Sequence, residues 1–314
     1  MLEPRIGGIM VRFPRHRIHE NPALLFHYGA FQPLWQQPGL IQAGARLTGD
    51  SSSVQVRGPG VQGLQASLAY ANMPARGVLL HYTDPFLLRS QPLRGLRHWC
   101  GPRLLVCGDL HHGERPLDVL AAYLEAEHHD AVLLAFNPAM LSAVRKRLSV
   151  PVRALPPTFF RYPAAARVAQ PRLKLLHVGS IGPHHPRRRE LVAALQARER
   201  VPFRHATTTN PEEAAALYAQ HALVLNVPLN HDLNHRFFEV MAAGVPQVVF
   251  ADPGLVGEHR HLAERPDVFW ASTIEELEAL VLRLFAEPER LRAIPVAPPP
   301  YWELKDLLKA AFAP

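Results

Sequence analysis

Lysine is nearly missing from this 314-residue chain: of its 34 basic residues only Lys146, Lys174, Lys305 and Lys309 are lysine, and the other 30 are arginine. Cysteine is as scarce, with only Cys100 and Cys107. Two thiols exclude a disulfide framework and a four-thiolate zinc site, and they fit a reducing, cytoplasmic setting. No apolar run approaches the ~20 residues that span a bilayer, so no transmembrane segment is expected. The first residues, with Glu3, Arg5, Arg12, Arg15 and Arg17, lack the apolar stretch of a secretory signal. H-E-x-x-H, P-loop and G-x-S-x-G patterns are missing too. Charged residues make up only 19% and hydrophobic ones 48%. That balance, over this length, excludes a disordered or collagenous chain and suits about two domains.

What is present begins with charge. The formal balance of +7 permits an anionic partner such as a nucleotide, a lipid surface or nucleic acid. Arginine's planar fork suits phosphate, although a GC-rich genome produces the same bias. Residues 1–75, rich in Pro, Gly and Gln, predict only short strands and turns. From residue 77 the pattern is regular: apolar runs at 78–81, 104–107 and 131–136 alternate with a helix opened by Pro116 and another opened by Asn137-Pro138. Five prolines between Val150 and Pro171 predict an ordered linker. The alternation then restarts. Strands are expected at 173–178, 222–227 and 245–250, with helices at 188–198, from Asn210-Pro211, at 273–286 and at 301–312. The fold class expected is therefore α/β, with two Rossmann-like domains facing a cleft. The predicted boundaries are 1–167, 168–300 and a C-terminal helix at 301–314 that packs on the first domain or within the second.

The richest segment runs from Asn226 to Pro246. Asn234 is a good N-cap, a short helix follows through Met241, and Gly244 with Pro246 ends it. Its N-terminus falls at the carboxyl end of the sheet, where open α/β folds bind ligands and where free backbone N–H groups favour a phosphate. Arg236 in the first turn opposes the helix dipole by roughly 0.3–1 kcal/mol, which a bound anion would offset. Glu239 could accept the hydroxyls of a ribose. The plainer alternative is an i, i+3 surface pair of Arg236 and Glu239.

The run Phe238-Glu239-Val240-Met241-Ala242-Ala243-Gly244-Val245-Pro246 resembles the FE-[AV]-M-A-x-G-x-P signature of retaining GT-B glycosyltransferases. Leu225-Asn226, Asn234, Arg236 and Phe238-Glu239, with Val178-Gly179-Ser180 and the segment His185 to Leu191, are similar to the CgeB-type spore-maturation glycosyltransferase-like group. The resemblance covers about residues 103–290. It implies a hexosyltransferase-type enzyme taking a UDP- or GDP-linked sugar as donor substrate, with no other cofactor and no bound metal. It also implies that Gly179 and Ser180 approach the donor phosphates and that Arg187 and Arg188 bind the diphosphate. Asn234, His235 and Arg236 would open the helix against the donor, and Glu239 would hold its ribose. His231 stands where the family's first E-x7-E glutamate is expected.

In the first domain Asp109, His111 and His112 follow a strand end and are the candidate catalytic residues. A His here contacts the donor sugar in similar enzymes, and Asp109 or His111 would be the base if the reaction inverts. Structural histidines or a divalent-metal site are the alternatives. The acceptor is left open: protein, lipid, small molecule or nucleic acid. Two other classes stay in play. One is a catalytically silent GT-B-like binding protein. The other is a nucleic-acid-binding or -modifying protein using arginines such as Arg145, Arg147, Arg153 and Arg161.

Overall fold

Short runs of Leu, Val and Ala, buried from both faces, have few stable arrangements other than a parallel sheet covered by helices. The computed structural model describes residues 5–6, 9–10, 23–27, 39–47, 53–110, 112–182, 185–229 and 232–312. The chain forms two compact units, one of Met1–Arg161 with Tyr301–Pro314 and one of Tyr162–Pro300.

In the first unit, β1 (Arg5–Ile6) and β2 (Ile9–Met10) make a small antiparallel pair. The main sheet holds β3 (Ala23–His27), β4 (Leu40–Gly44), β5 (Ser53–Gln55), β6 (Leu79–Thr83), β7 (Arg103–Cys107), β8 (Ala131–Leu134) and β9 (Val152–Ala154). Their order is β5-β4-β3-β6-β7-β8-β9, and every pairing is parallel. This is a doubly wound Rossmann order, reversing direction between β3 and β6. The helices α1 (Gly60–Tyr70), α2 (Pro116–Ala126) and α3 (Leu141–Arg147) pack Val61, Leu64, Leu68, Leu120, Leu124 and Val144 into one core with the strands.

Residues 1–75 hold more regular structure than their composition predicts: three sheet strands and the eleven-residue α1. Gly58 and Pro59 lead directly into that helix, which begins at Gly60. Asn137 does not cap a helix with its side chain. Residues 138–140 form a 3-10 turn, and the Asn137 Oδ1 accepts the Leu110 N–H at 3.0 Å instead. The local pattern Asn-Pro favours a cap, but the loop after β7 takes the Asn137 side chain instead.

The second unit's sheet is β10 (Arg172–Val178), β11 (Phe203–Ala206), β12 (His221–Asn226), β13 (Gln247–Val249) and β14 (Val268–Trp270). It runs β11-β10-β12-β13-β14, all parallel. This is the other common doubly wound order, with its reversal between β10 and β12. Around it lie α4 (Pro186–Arg198), α5 (Pro211–Ala219), α6 (His235–Ala242), α7 (Arg260–Ala263), α8 (Ile274–Ala286) and α9 (Pro288–Ala293). Strand alternation divides the core: Leu175, Leu223, Leu225 and Val248 pack with α4 and α8, whereas Leu176, Val178 and Val224 pack with α5 and α6. Helix starts follow their chemistry. Asn210 Oδ1 accepts the Glu213 N–H at 2.8 Å, and Thr273 with Glu276 forms a complete capping box.

Tyr162 opens this unit because its ring packs on Phe238 and its hydroxyl meets His235 Nδ1 at 3.0 Å. The chain then returns. The Trp302 N–H donates to the Thr158 carbonyl at 3.1 Å, and α10 (Leu304–Ala311) buries Leu307, Leu308 and Ala311 in the first unit. No helix among the described residues is long and apolar enough to cross a membrane.

Candidate functional site at the β10–β12 switch point

In a 2-1-3-4-5 sheet the two strands flanking the reversal send their following loops in opposite directions, which opens a crevice at their carboxyl ends. Here those ends are Val178-Gly179 and Asn226-Val227. Gly179 has φ +145°, and an added Cβ would run into the Arg236 guanidinium. The glycine peptide is fixed at both ends. Its N–H donates to the Ala206 carbonyl at 2.9 Å, and its own carbonyl meets His205 Nε2 at 2.8 Å. The next carbonyl, that of Ser180, accepts from Arg188 Nη1 at 3.1 Å, while Arg188 Nη2 donates to the Val227 carbonyl at 3.2 Å. Arg188 thus ties the loop after β10 to the loop after β12. Only 7% of it is exposed, and burial, with Arg236 next, pushes its guanidinium down to about 10. It stays charged at neutral pH.

The third element is α6. Asn234 Oδ1 accepts the Phe237 N–H at 3.2 Å, and its Nδ2 donates to the Asn226 Oδ1 at 3.0 Å, so one side chain caps the helix and anchors it to β12. The helix buries Phe237, Phe238, Val240 and Met241. It ends where Gly244 takes φ +69° and the Val245 N–H reaches back to the Val240 carbonyl, a Schellman closure. With those residues fixed inward, Arg236 and Glu239 are left partly exposed. Glu239 does not take its hydrogen bond from Arg236 as a surface pair would. Its Oε2 accepts from the Tyr218 hydroxyl at 3.2 Å. Burial raises the Glu239 carboxyl, and Arg236 and then Tyr218 oppose that rise.

Behind the crevice, His177 is fully buried, with Nδ1 against the Leu225 carbonyl at 2.9 Å and its ring stacked on His205. Burial, and next Arg236, hold it well below the ordinary histidine range, so it is neutral. Among the described residues, the buried nitrogens Arg236 Nε, Arg188 Nε, Asn226 Nδ2 and His177 Nε2 have no protein partner. Three of these are donors. Two guanidinium groups and spare donors give this switch point the electrostatics to take an anion.

The structure therefore brings together Gly179, Ser180, Arg188, Asn234, Arg236 and Glu239 from the predicted set. Arg187 is exposed, with its guanidinium 5.5 Å over the Phe250 ring. His235 is turned to Tyr162. His111 and His231 lie outside the described residues. Asp109 and His112 belong to the first unit, where they follow β7. His112 Nε2 is 3.7 Å from Asp109 Oδ2, and the Asp109 N–H donates to Asp84 Oδ1 at 2.7 Å. No group of three His, Cys, Asp or Glu side chains among the described residues is arranged to hold a metal ion.

The arginines offered to nucleic acid are engaged within the chain. Arg147 pairs with Asp118 at 3.2 Å, Arg145 Nε donates to the Val152 carbonyl at 3.1 Å, and Arg161 lies 4.4 Å over Tyr301. Sequence reasoning missed Tyr218, His205 and Asp232. Tyr218 did leave a trace, as the one large, polar-tipped residue on the Ala214–Ala215–Ala219 face of α5.

A family model described as glycosyl transferase-like matches residues 160–297. No curated protein matches the chain in sequence. Among solved structures, sucrose-phosphate synthase from Thermosynechococcus elongatus superposes with a TM-score of 0.54 at 13% identity, over 87% of this chain and 94% of that one. An O-GlcNAc transferase mutant from Thermobaculum terrenum gives 0.48 at 12% identity over 88% and 62% of the two chains. MurG from Acinetobacter baumannii gives 0.40 at 13% over 92% and 99%. At 13% identity the likeness to the first of these concerns the fold. Two parallel, doubly wound α/β units are the GT-B architecture, and every strand and helix of the second unit falls within the span that matches the glycosyl transferase-like family.

Proposed function

We propose that this protein transfers a sugar from a nucleoside-diphosphate sugar to an acceptor, and that the donor's nucleotide binds at the β10–β12 switch point. One observation carries the reading. The Arg236 guanidinium lies against the Cα of Gly179 at the mouth of the capped α6, and the Glu239 carboxylate sits one turn further on. A diphosphate at the Gly179-Ser180 turn would meet backbone approach, the Arg236 charge and the positive end of α6 together. Glu239 would accept the two ribose hydroxyls. Arg188 supports the turn from beneath by holding the Ser180 and Val227 carbonyls, and Arg187 stands at the exposed start of the same helix.

The chemistry that follows is electrostatic. As the bond between anomeric carbon and phosphate oxygen breaks, negative charge grows on the diphosphate, and fixed donors stabilise it most when they are already in place. Arg236 and the α6 N–H groups do this in the proposal without a metal ion. We assign the reaction as retaining and the transferred group as a hexose. Asp109 and His112, which follow β7, are the proposed catalytic residues.

The test is direct. Thermal shift and calorimetry with UDP, GDP, TDP, ADP and their sugars should single out one nucleotide, because a ligand of the native state raises stability by mass action. Donor turnover should follow for that nucleotide's sugars and be lost in Glu239→Ala. A chain that binds none of the four overturns the proposal. Binding without turnover of any donor sugar would instead favour a silent binding protein.

A further inference from the structure

The site depends on a buried phenol from a different helix. Tyr218 lies on α5 and is 1% exposed, its ring held among Leu176, Val178, Val224 and Val240. A ring so packed has one position for its hydroxyl, and that hydroxyl donates to Glu239 Oε2 at 3.2 Å. A buried hydroxyl without a partner is unfavourable, so this contact constrains both side chains. Among the described residues, Tyr218 is the one side chain that donates a hydrogen bond to the Glu239 carboxylate.

We infer that Tyr218 is a positioning residue: by donating to one oxygen of Glu239 it keeps that carboxylate ionised and in a single orientation for its ligand. The inference rests on the reading of Glu239 as the ribose-binding group. The other charges around the pair agree with it. Arg236 comes from the first turn of α6, Arg188 approaches from α4, and Asp232 precedes α6 and offsets Arg188. His177, from β10, lies beside Arg236 and is neutral, and the His205 ring of β11 stacks on it. Burial raises the Tyr218 phenol most; Arg236 beside it lowers it by charge and hydrogen bonding, and Glu239 raises it, so on balance it remains a donor across the working pH range.

A purely structural tyrosine would leave the titration of Glu239 alone, and that separates the two roles. The experiment follows the Glu239 carboxyl carbon by NMR as pH is varied, with its signal assigned by its disappearance in Glu239→Gln. In Tyr218→Phe the midpoint should rise. In wild type carrying 3-fluorotyrosine, a more acidic phenol in an intact core, it should fall. The second measurement decides the matter even if Tyr218→Phe does not fold. Binding gives a further readout: below both midpoints the variant should hold UDP, GDP, TDP or ADP, whichever the wild type takes, more weakly by about tenfold for each unit of displaced titration, converging on wild type at higher pH. In a Glu239→Gln background the same substitution should change nothing. An unmoved midpoint in either protein overturns the inference, as does an equal loss of binding in both backgrounds. If the wild type binds none of the four nucleotides, the functional reading fails, and the titration still decides the role of Tyr218.

Discussion

Replacing Gly179 by alanine tests the switch-point site at its tightest contact. The substitution acts twice. A side chain at φ +145° is strained, by about 1–3 kcal/mol for a sparsely populated backbone region. The peptide cannot rotate to relieve this, because Ala206 and His205 hold it from both sides. The new methyl also meets the end of Arg236, a flexible group that will move aside rather than unfold the protein. In the proposed binding mode its movement forfeits a charge-assisted hydrogen bond to bound phosphate worth about 1.5–3 kcal/mol, roughly 10- to 100-fold in affinity. Urea denaturation reads the first effect and calorimetry with the cognate nucleoside diphosphate reads the second. Arg236→Ala separates them: in that background Gly179→Ala should still destabilise but should no longer weaken binding. Wild-type affinity in Gly179→Ala, or the same loss of affinity with Arg236 already gone, would refute the reasoning.

Asn234→Ala removes both the cap on α6 and the tie to Asn226, and should cost about 0.5–2 kcal/mol by denaturant midpoint. Asn234→Ser, which restores the cap alone, should recover only part of it, and full recovery would dismiss the tie. Acid should destabilise the first unit through its buried imidazoles. Burial lowers His27 to about 4 and His129 to about 3, and it takes His81, stacked on His129, well below the ordinary range. The unfolded chain binds these protons from about pH 6.5 downward and the native state resists them, so stability is full above pH 6.5 and is lost as pH falls. For His27 alone the interval from 6.5 to about 4 amounts to about 3 kcal/mol. Denaturation midpoints at pH 7, 5.5 and 4.5 check this, and a flat profile would contradict it.

The alternation of strand and helix from residue 77 onward was legible because each element's apolar run and cap lie within a few positions of one another. Asn210 at the start of α5, Thr273 at the start of α8, and the Asn234-to-Gly244 frame of α6 all appear as their side chains predict. The sheet strands of residues 1–75 were not legible. β4 carries Gln42 and β5 carries Ser53 and Gln55, polar residues that a buried sheet accommodates only when its neighbours are already in place. Helix α1 contains two glycines and small residues, so its period is faint until Val61, Leu64 and Leu68 meet the sheet.

What the chain alone determined, then, is everything that near neighbours decide: the elements, their caps, the restart of the α/β pattern, and the arginine and glutamate on one short helix. The tertiary structure decided the rest. The strand orders placed the reversals, and the β10–β12 reversal turned two distant loops into one crevice. Arg188, which resemblance assigns to a diphosphate, gives its hydrogen bonds to the Ser180 and Val227 carbonyls, 8 and 39 positions away. Glu239 found its partner in Tyr218, 21 positions earlier on another helix. Local sequence sets torsions and periodicity, but which buried donor meets which acceptor depends on where the chain returns, and that is settled only when the core closes.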